Sequence, residues 1–105
     1  MRAIFWLVLL AVLSTAIQPA MAARFSIYVY DSDSRMPLKD VFIRVWDGKN
    51  LVDNGNTDSD GIFVTKFLFD GVIYHIRGQT FDKWDEIDYL AESANSTEIK
   101  LYLHT

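Results

Sequence analysis

The sequence predicts an all-β fold, an antiparallel sandwich of short strands. Apolar and polar residues alternate through several short stretches, which is the period of a half-buried strand. Between those stretches stand clusters of Asp, Asn, Ser and Gly, whose short side chains bond their own backbone and whose glycines reach positive φ. The whole chain has 105 residues, room for one small domain built from such pieces.

The elements follow in chain order. Arg24 to Tyr30 alternates, with Phe25, Ile27 and Val29 on one face. Asp31-Ser32-Asp33-Ser34 reads as a turn. Met36 to Asp40 is a connector, since Pro37 cannot donate inside a central strand. Val41 to Trp46 alternates again, with Val41, Ile43 and Val45 inward. Asp47-Gly48 is a tight-turn signal. Leu51-Val52 opens a short strand that stops at Asn54-Gly55-Asn56, and Thr57 to Gly61 is the densest turn of the chain. Ile62 to Phe69 reads as one strand with Phe63, Phe67 and Phe69 on the same parity. Asp70-Gly71 is a second hairpin dipeptide, with Val72 to Arg77 as its partner strand. Phe81 to Glu92 reads either as a short helix or as a loop with one strand. Ile99, Leu101 and Leu103 mark the last strand. Six or seven strands in this pattern predict an antiparallel sandwich.

Composition narrows the function. Half of the residues are hydrophobic and 14% are aromatic, which excludes a disordered tail. Ten basic against 14 acidic residues give a net charge of −4. An acidic chain does not neutralise phosphates, so nucleic acid is not an expected partner. The chain has no cysteine. That removes disulfides, Cys-ligated metals and thiol nucleophiles together.

Residues 1–22 read as a cleaved secretory signal peptide. Arg2 supplies the positive start, Ala3 to Leu13 the apolar core, and Ala20-Met21-Ala22 the small-residue cleavage site. The apolar run is shorter than the ~20 residues of a spanning helix. The expected mature domain, 23–105, then has 83 residues with 9 basic against 14 acidic, a balance of −5, and 13 aromatic residues. It is expected to be secreted and extracellular, periplasmic in a bacterium, with no membrane span after cleavage. Small secreted domains often add disulfides. Without them, stability must come from large buried side chains, self-association or a partner.

Val29-x-Asp31, Pro37-Leu38-Lys39-Asp40-Val41-x-Ile43-x-Val45, Thr57-Asp58-Ser59-Asp60-Gly61-x-Phe63 and Tyr74-x-Ile76 resemble the transthyretin-like, carboxypeptidase-regulatory-like sandwich superfamily. The resemblance implies a seven-stranded antiparallel transthyretin-like (prealbumin-like) sandwich, with room for one short helix. It implies that Gly61 takes a positive-φ corner, that Phe63 plugs the space between the sheets, and that Tyr74 and Ile76 close the other side. The hydroxyisourate hydrolases of that superfamily carry a His where this chain has Tyr28. They also carry an Arg soon after the Asp-Gly corner, where this chain has Ile62, and end in Tyr-Arg-Gly-Ser. This chain ends in Leu101-Tyr102-Leu103-His104-Thr105. Their activity is therefore not carried over, and no catalytic residue is assigned.

No metal or cofactor is expected. Asn56-x-Asp58-x-Asp60-Gly61 imitates the start of a calcium loop, but the position that needs a bidentate Glu is Phe67. Parity gives the interface candidates. If Phe25, Ile27 and Val29 face the core, Tyr28 and Tyr30 face out. By the same rule Phe42, Arg44 and Trp46 face out, joined by Tyr102, as one outer face with the composition of an interface centre. The competing reading covers that face with the 81–92 stretch through Trp84 and Ile87. Asn95-Ser96-Thr97 is a glycosylation sequon in an exposed loop. The expected function is a non-enzymatic extracellular binding module whose partner is another protein or a second copy. The alternative is a small-ligand or carbohydrate carrier using Trp84, Tyr89 and the acidic stretch around them. A degenerate hydroxyisourate hydrolase-like protein ranks third.

Overall fold

A computed structural model describes residues 21–105. Most of the expected leader lies outside the described residues. Among the described residues nine strands follow one another: β1 (Ala22–Ala23), β2 (Ser26–Asp31), β3 (Phe42–Asp47), β4 (Asn50–Asn56), β5 (Ile62–Val64), β6 (Leu68–Phe69), β7 (Ile73–Gln79), β8 (Trp84–Leu90) and β9 (Glu98–Leu103). There is no helix among the described residues. The 81–92 stretch, open between helix and loop in the sequence, supplies strand β8.

The larger sheet has the order β4-β3-β7-β8 and the smaller β5-β2-β9, with β1 and β6 as a two-stranded ribbon. The two larger sheets pack face to face. Ile27, Val29, Ile99, Leu101 and Leu103 of the smaller sheet share one core with Ile43, Val45, Tyr74 and Ile76 of the larger. These are the inward parities of their strands, so alternation alone places them.

Several sequence expectations are corrected. The pairing is not wholly antiparallel, because β2 and β9 run parallel from Ser26↔Glu98 to Asp31↔Leu103. The expected 62–69 strand is split. Thr65 breaks it, turning its hydroxyl inward to accept from the Phe25 amide at 3.0 Å. Phe63 packs against the core, but Phe67 and Phe69 are exposed. Asp70-Gly71 makes a turn, with Gly71 at φ 84°, yet joins no hairpin. Strand β6 pairs with β1, and β7 pairs with β3 and β8. The Asp70 carboxylate instead accepts from the Ser93 amide and hydroxyl at 3.0 and 2.8 Å.

The 57–61 corner forms as a turn. Gly61 sits at φ 78°, where a Cβ would meet Pro37 and the Val29 carbonyl oxygen at 2.9 Å. Asp58 accepts from the Asp60 and Ile62 amides at 2.9 and 3.0 Å, which is a turn carboxylate at work on its own backbone. Phe63 lies against Gly55 of β4, with two ring carbons 3.2 Å from where a Cβ would stand. The ring thus spans from the smaller sheet to the larger.

Strand β1 straddles the expected cut before Ala23. Ala22 pairs with Phe69, and the Met21 carbonyl accepts from the Asp70 amide at 2.8 Å. Processing at that bond would leave only Ala23↔Leu68 of the ribbon.

Candidate functional site

The six interface candidates do not share a face. Tyr28, Tyr30 and Tyr102 lie on the outer face of the smaller sheet, on β2 and β9. Phe42, Arg44 and Trp46 lie on β3, on the outer face of the larger sheet. The common core separates the two sets. Parity tells inside from outside, and does not tell which sheet a strand joins.

On the tyrosine face two of the three rings engage each other. Tyr30 and Tyr102 are cross-strand partners whose rings stack at 5.5 Å. The Arg35 guanidinium lies 5.2 Å from the Tyr102 ring centre.

On the larger sheet the register arranges side chains in rows across the strands. Phe42 stands beside Gln79 and Trp84, Arg44 beside Arg77 and Glu86, and Trp46 beside His75 and Asp88. Directly opposed side chains on one face are the interacting unit of a sheet. The Arg44 guanidinium lies 5.5 Å from the Phe42 ring centre and 5.1 Å from that of Trp46. Its one hydrogen bond among the described residues goes to Gln79 Oε1 at 3.2 Å. Arg77 lies 4.9 Å from the Trp84 ring and donates to Glu86 at 3.1 Å. Arg44, Trp46, Lys49, His75, Arg77 and Glu86, with the Gly48 turn, line an open depression of about 580 Å³.

His75 sits between two carboxylates, with Nδ1 2.8 Å from Asp88 and Nε2 3.1 Å from Glu86. Its pKa is raised, first by the hydrogen bond to Asp88 and against a smaller cost of burial. Glu86 is held below the usual carboxylate value, first by Arg77 and then by His75. Glu86 is thus engaged by both His75 and Arg77, while Arg44 makes no ion pair among the described residues.

The secondary candidates also separate. Trp84 is on the outer face, one ring from His104 at 5.0 Å. Tyr89 faces inward, its ring edge-on to Phe25 at 5.8 Å, and burial raises its phenol pKa. They cannot bind one ligand together. Ile87 also turns toward the core, so β8 extends the Phe42–Trp46 face and leaves it uncovered. Asn95 is exposed in the turn before β9. Among the described residues no three His, Asp or Glu side chains are grouped to hold a metal.

The missed members of the face are Gln79, Glu86 and Lys49. A signal for Gln79 was present, because β7 alternates and its outward parity runs through His75 and Arg77. No family model, curated protein or solved structure matches the chain.

Proposed function

We propose that this protein is a non-enzymatic binding module whose working surface is the outer face of the larger sheet, centred on Arg44 between Phe42 and Trp46. The observation that carries the reading is the state of Arg44. A guanidinium has five N–H donors, and here it makes one hydrogen bond and no ion pair among the described residues. The chain has 14 acidic residues, yet none is set against this group. Arginine stacked beside aromatic rings on an open face is the composition of a binding centre.

Surface binding is favoured over enclosed carriage by how the core is packed. Added carbon at Gly78 would lie 3.1 Å from Leu101 and 3.2 Å from Ile43. There is no slack between the sheets at that point for a small ligand.

The test is a binding screen on arrays of glycans and peptides, with the protein as its host processes it. Specific hits should disappear in the double variant Phe42→Ser/Trp46→Ser and persist in Tyr28→Ser. Light scattering on the same samples detects a second copy as the occupant. Hits that survive the double variant and vanish with Tyr28→Ser would move the function to the opposite face.

A further inference from the structure

Resting on that reading of the face, we infer that its ligand is an acidic saccharide, a pyranose chain bearing carboxylates of the uronic-acid type. The argument starts from charge. Arg44, Lys49 and Arg77 border the depression, and the two carboxylates beside it are already engaged, Glu86 by Arg77 and His75 and Asp88 by His75. A local positive excess stands on a chain whose net charge is −4. The complement of an unpaired guanidinium is a carboxylate, which its planar fork accepts at two points.

The neighbouring row supplies the second half of the chemistry. Phe42 and Trp84 are 42% and 37% exposed, and they flank Gln79 next to the two arginines. A pyranose presents C–H faces to such rings and hydroxyls to an amide such as Gln79. A uronate adds the carboxylate at the ring's edge, where the arginine row lies.

The geometry favours a saccharide over an acidic peptide. An extended peptide gains its main-chain hydrogen bonds at a sheet edge. The face of a sheet offers side chains only, because its backbone groups are spent in the ladder. The outer edge of β4 is also guarded. Asp53 points inward and accepts from the Lys66 amide at 2.7 Å, and an inward charge is one of the devices that discourage edge pairing.

The experiment titrates the processed protein with trigalacturonate, its methyl ester and a hexaglutamate peptide, by tryptophan fluorescence and calorimetry. Trigalacturonate should bind, and the ester should bind about 10-fold or more weakly, the effect of losing one charge-assisted hydrogen bond. Arg44→Gln should lower trigalacturonate affinity to a similar extent, while Tyr28→Ser on the opposite face should leave it unchanged. Circular dichroism establishes that each variant is folded, and Lys49→Ala provides a second variant at the rim. Equal binding of the ester would overturn the acidic requirement. Hexaglutamate binding as tightly as trigalacturonate, with the same loss in Arg44→Gln, would overturn the saccharide. Absence of trigalacturonate binding would overturn the inference outright, while array hits sensitive to Phe42→Ser/Trp46→Ser would still uphold the face itself.

Discussion

Replacing Thr57 by Val tests how the 36–41 connector is held. Thr57 is buried at 3% exposure. Its hydroxyl donates to the Leu38 carbonyl at 2.7 Å and accepts from the Val41 amide at 3.0 Å. Its backbone adds two more bonds, from its amide to the Val41 carbonyl and from the Asp40 amide to its carbonyl, both 3.0 Å. Valine keeps the shape and the backbone bonds but removes the hydroxyl. Two main-chain groups then lose their partner, at about 1–3 kcal/mol for each one left unsatisfied. Leu38 is only half-buried, so the lower part of the combined range, about 2–4 kcal/mol, is expected. A domain this small is expected to melt roughly 10–30 °C lower for that loss. Thr57→Ser is the control, since it keeps both bonds and gives up one buried methyl, about 0.8 kcal/mol. Urea denaturation followed by tryptophan fluorescence measures all three proteins. If Thr57→Val lies within about 0.5 kcal/mol of the parent, or matches Thr57→Ser, the clamp is not what holds the connector.

Gly55→Ala should destabilise by about 1–3 kcal/mol through overpacking against Phe63, and Phe63→Leu in the same chain should recover part of the loss in a melting experiment. Asp53→Ala orphans the Lys66 amide at about 1–3 kcal/mol, and it unguards β4, so light scattering should detect concentration-dependent association. Asp31 should shape the acid limb of stability. Its pKa is pulled from 3.8 to about 2, first by the Lys83 ammonium and then by the Ser34 and Asp33 amides. That stabilisation is present above 3.8 and is lost as pH falls through about 2, so Asp31→Asn should flatten this limb in pH-dependent denaturation. His75 acts with the opposite sign. Its pKa is raised above 6.5, so its contribution is present below 6.5 and lost as pH rises through the folded value; His75→Gln should remove that decline.

Much of the fold was legible because its signals are local. The parity of Phe25, Ile27 and Val29, and of Val41, Ile43 and Val45, fixes which side chains are buried, and all six are fully buried. Gly61 and Asp58 announce a corner through their own backbone chemistry. What was not legible is pairing. Asp70-Gly71 has hairpin composition, yet β7 pairs with β3 and β8 while the two-residue β6 pairs with β1, a choice of partner that no local signal encodes. Strand β8 was obscured by its acids. Its outward positions are Trp84, Glu86 and Asp88, and its inward Asp85 is spent on the Tyr102 amide at 3.1 Å, so the alternation reads as irregular. The candidate site suffered from the same gap. Six outward residues were found correctly as outward, but assigning them to one face required knowing that β2 and β3 belong to different sheets.

The absence of cysteine has a structural counterpart in the margins of the sandwich, where side chains and short bridges tie the sheets. On one side Trp84 and His104 exchange main-chain bonds at 3.0 and 3.1 Å, Asp85 reaches the Tyr102 amide, and Lys83 pairs with Asp31. On the other, Asp53 holds the Lys66 amide and Phe63 lies on Gly55. These links connect β8 and the residue before it to β2, to β9 and to His104 just beyond β9, and they connect β4 to β5 and to Lys66 just beyond it. Such ties draw on carboxylates and small residues and do not use the side chains of Phe42, Arg44 or Trp46. Arg44, Phe42 and Trp46 are therefore the residues whose change should cost binding without costing the fold, whereas Asp31, Asp53 and Thr57 should do the reverse.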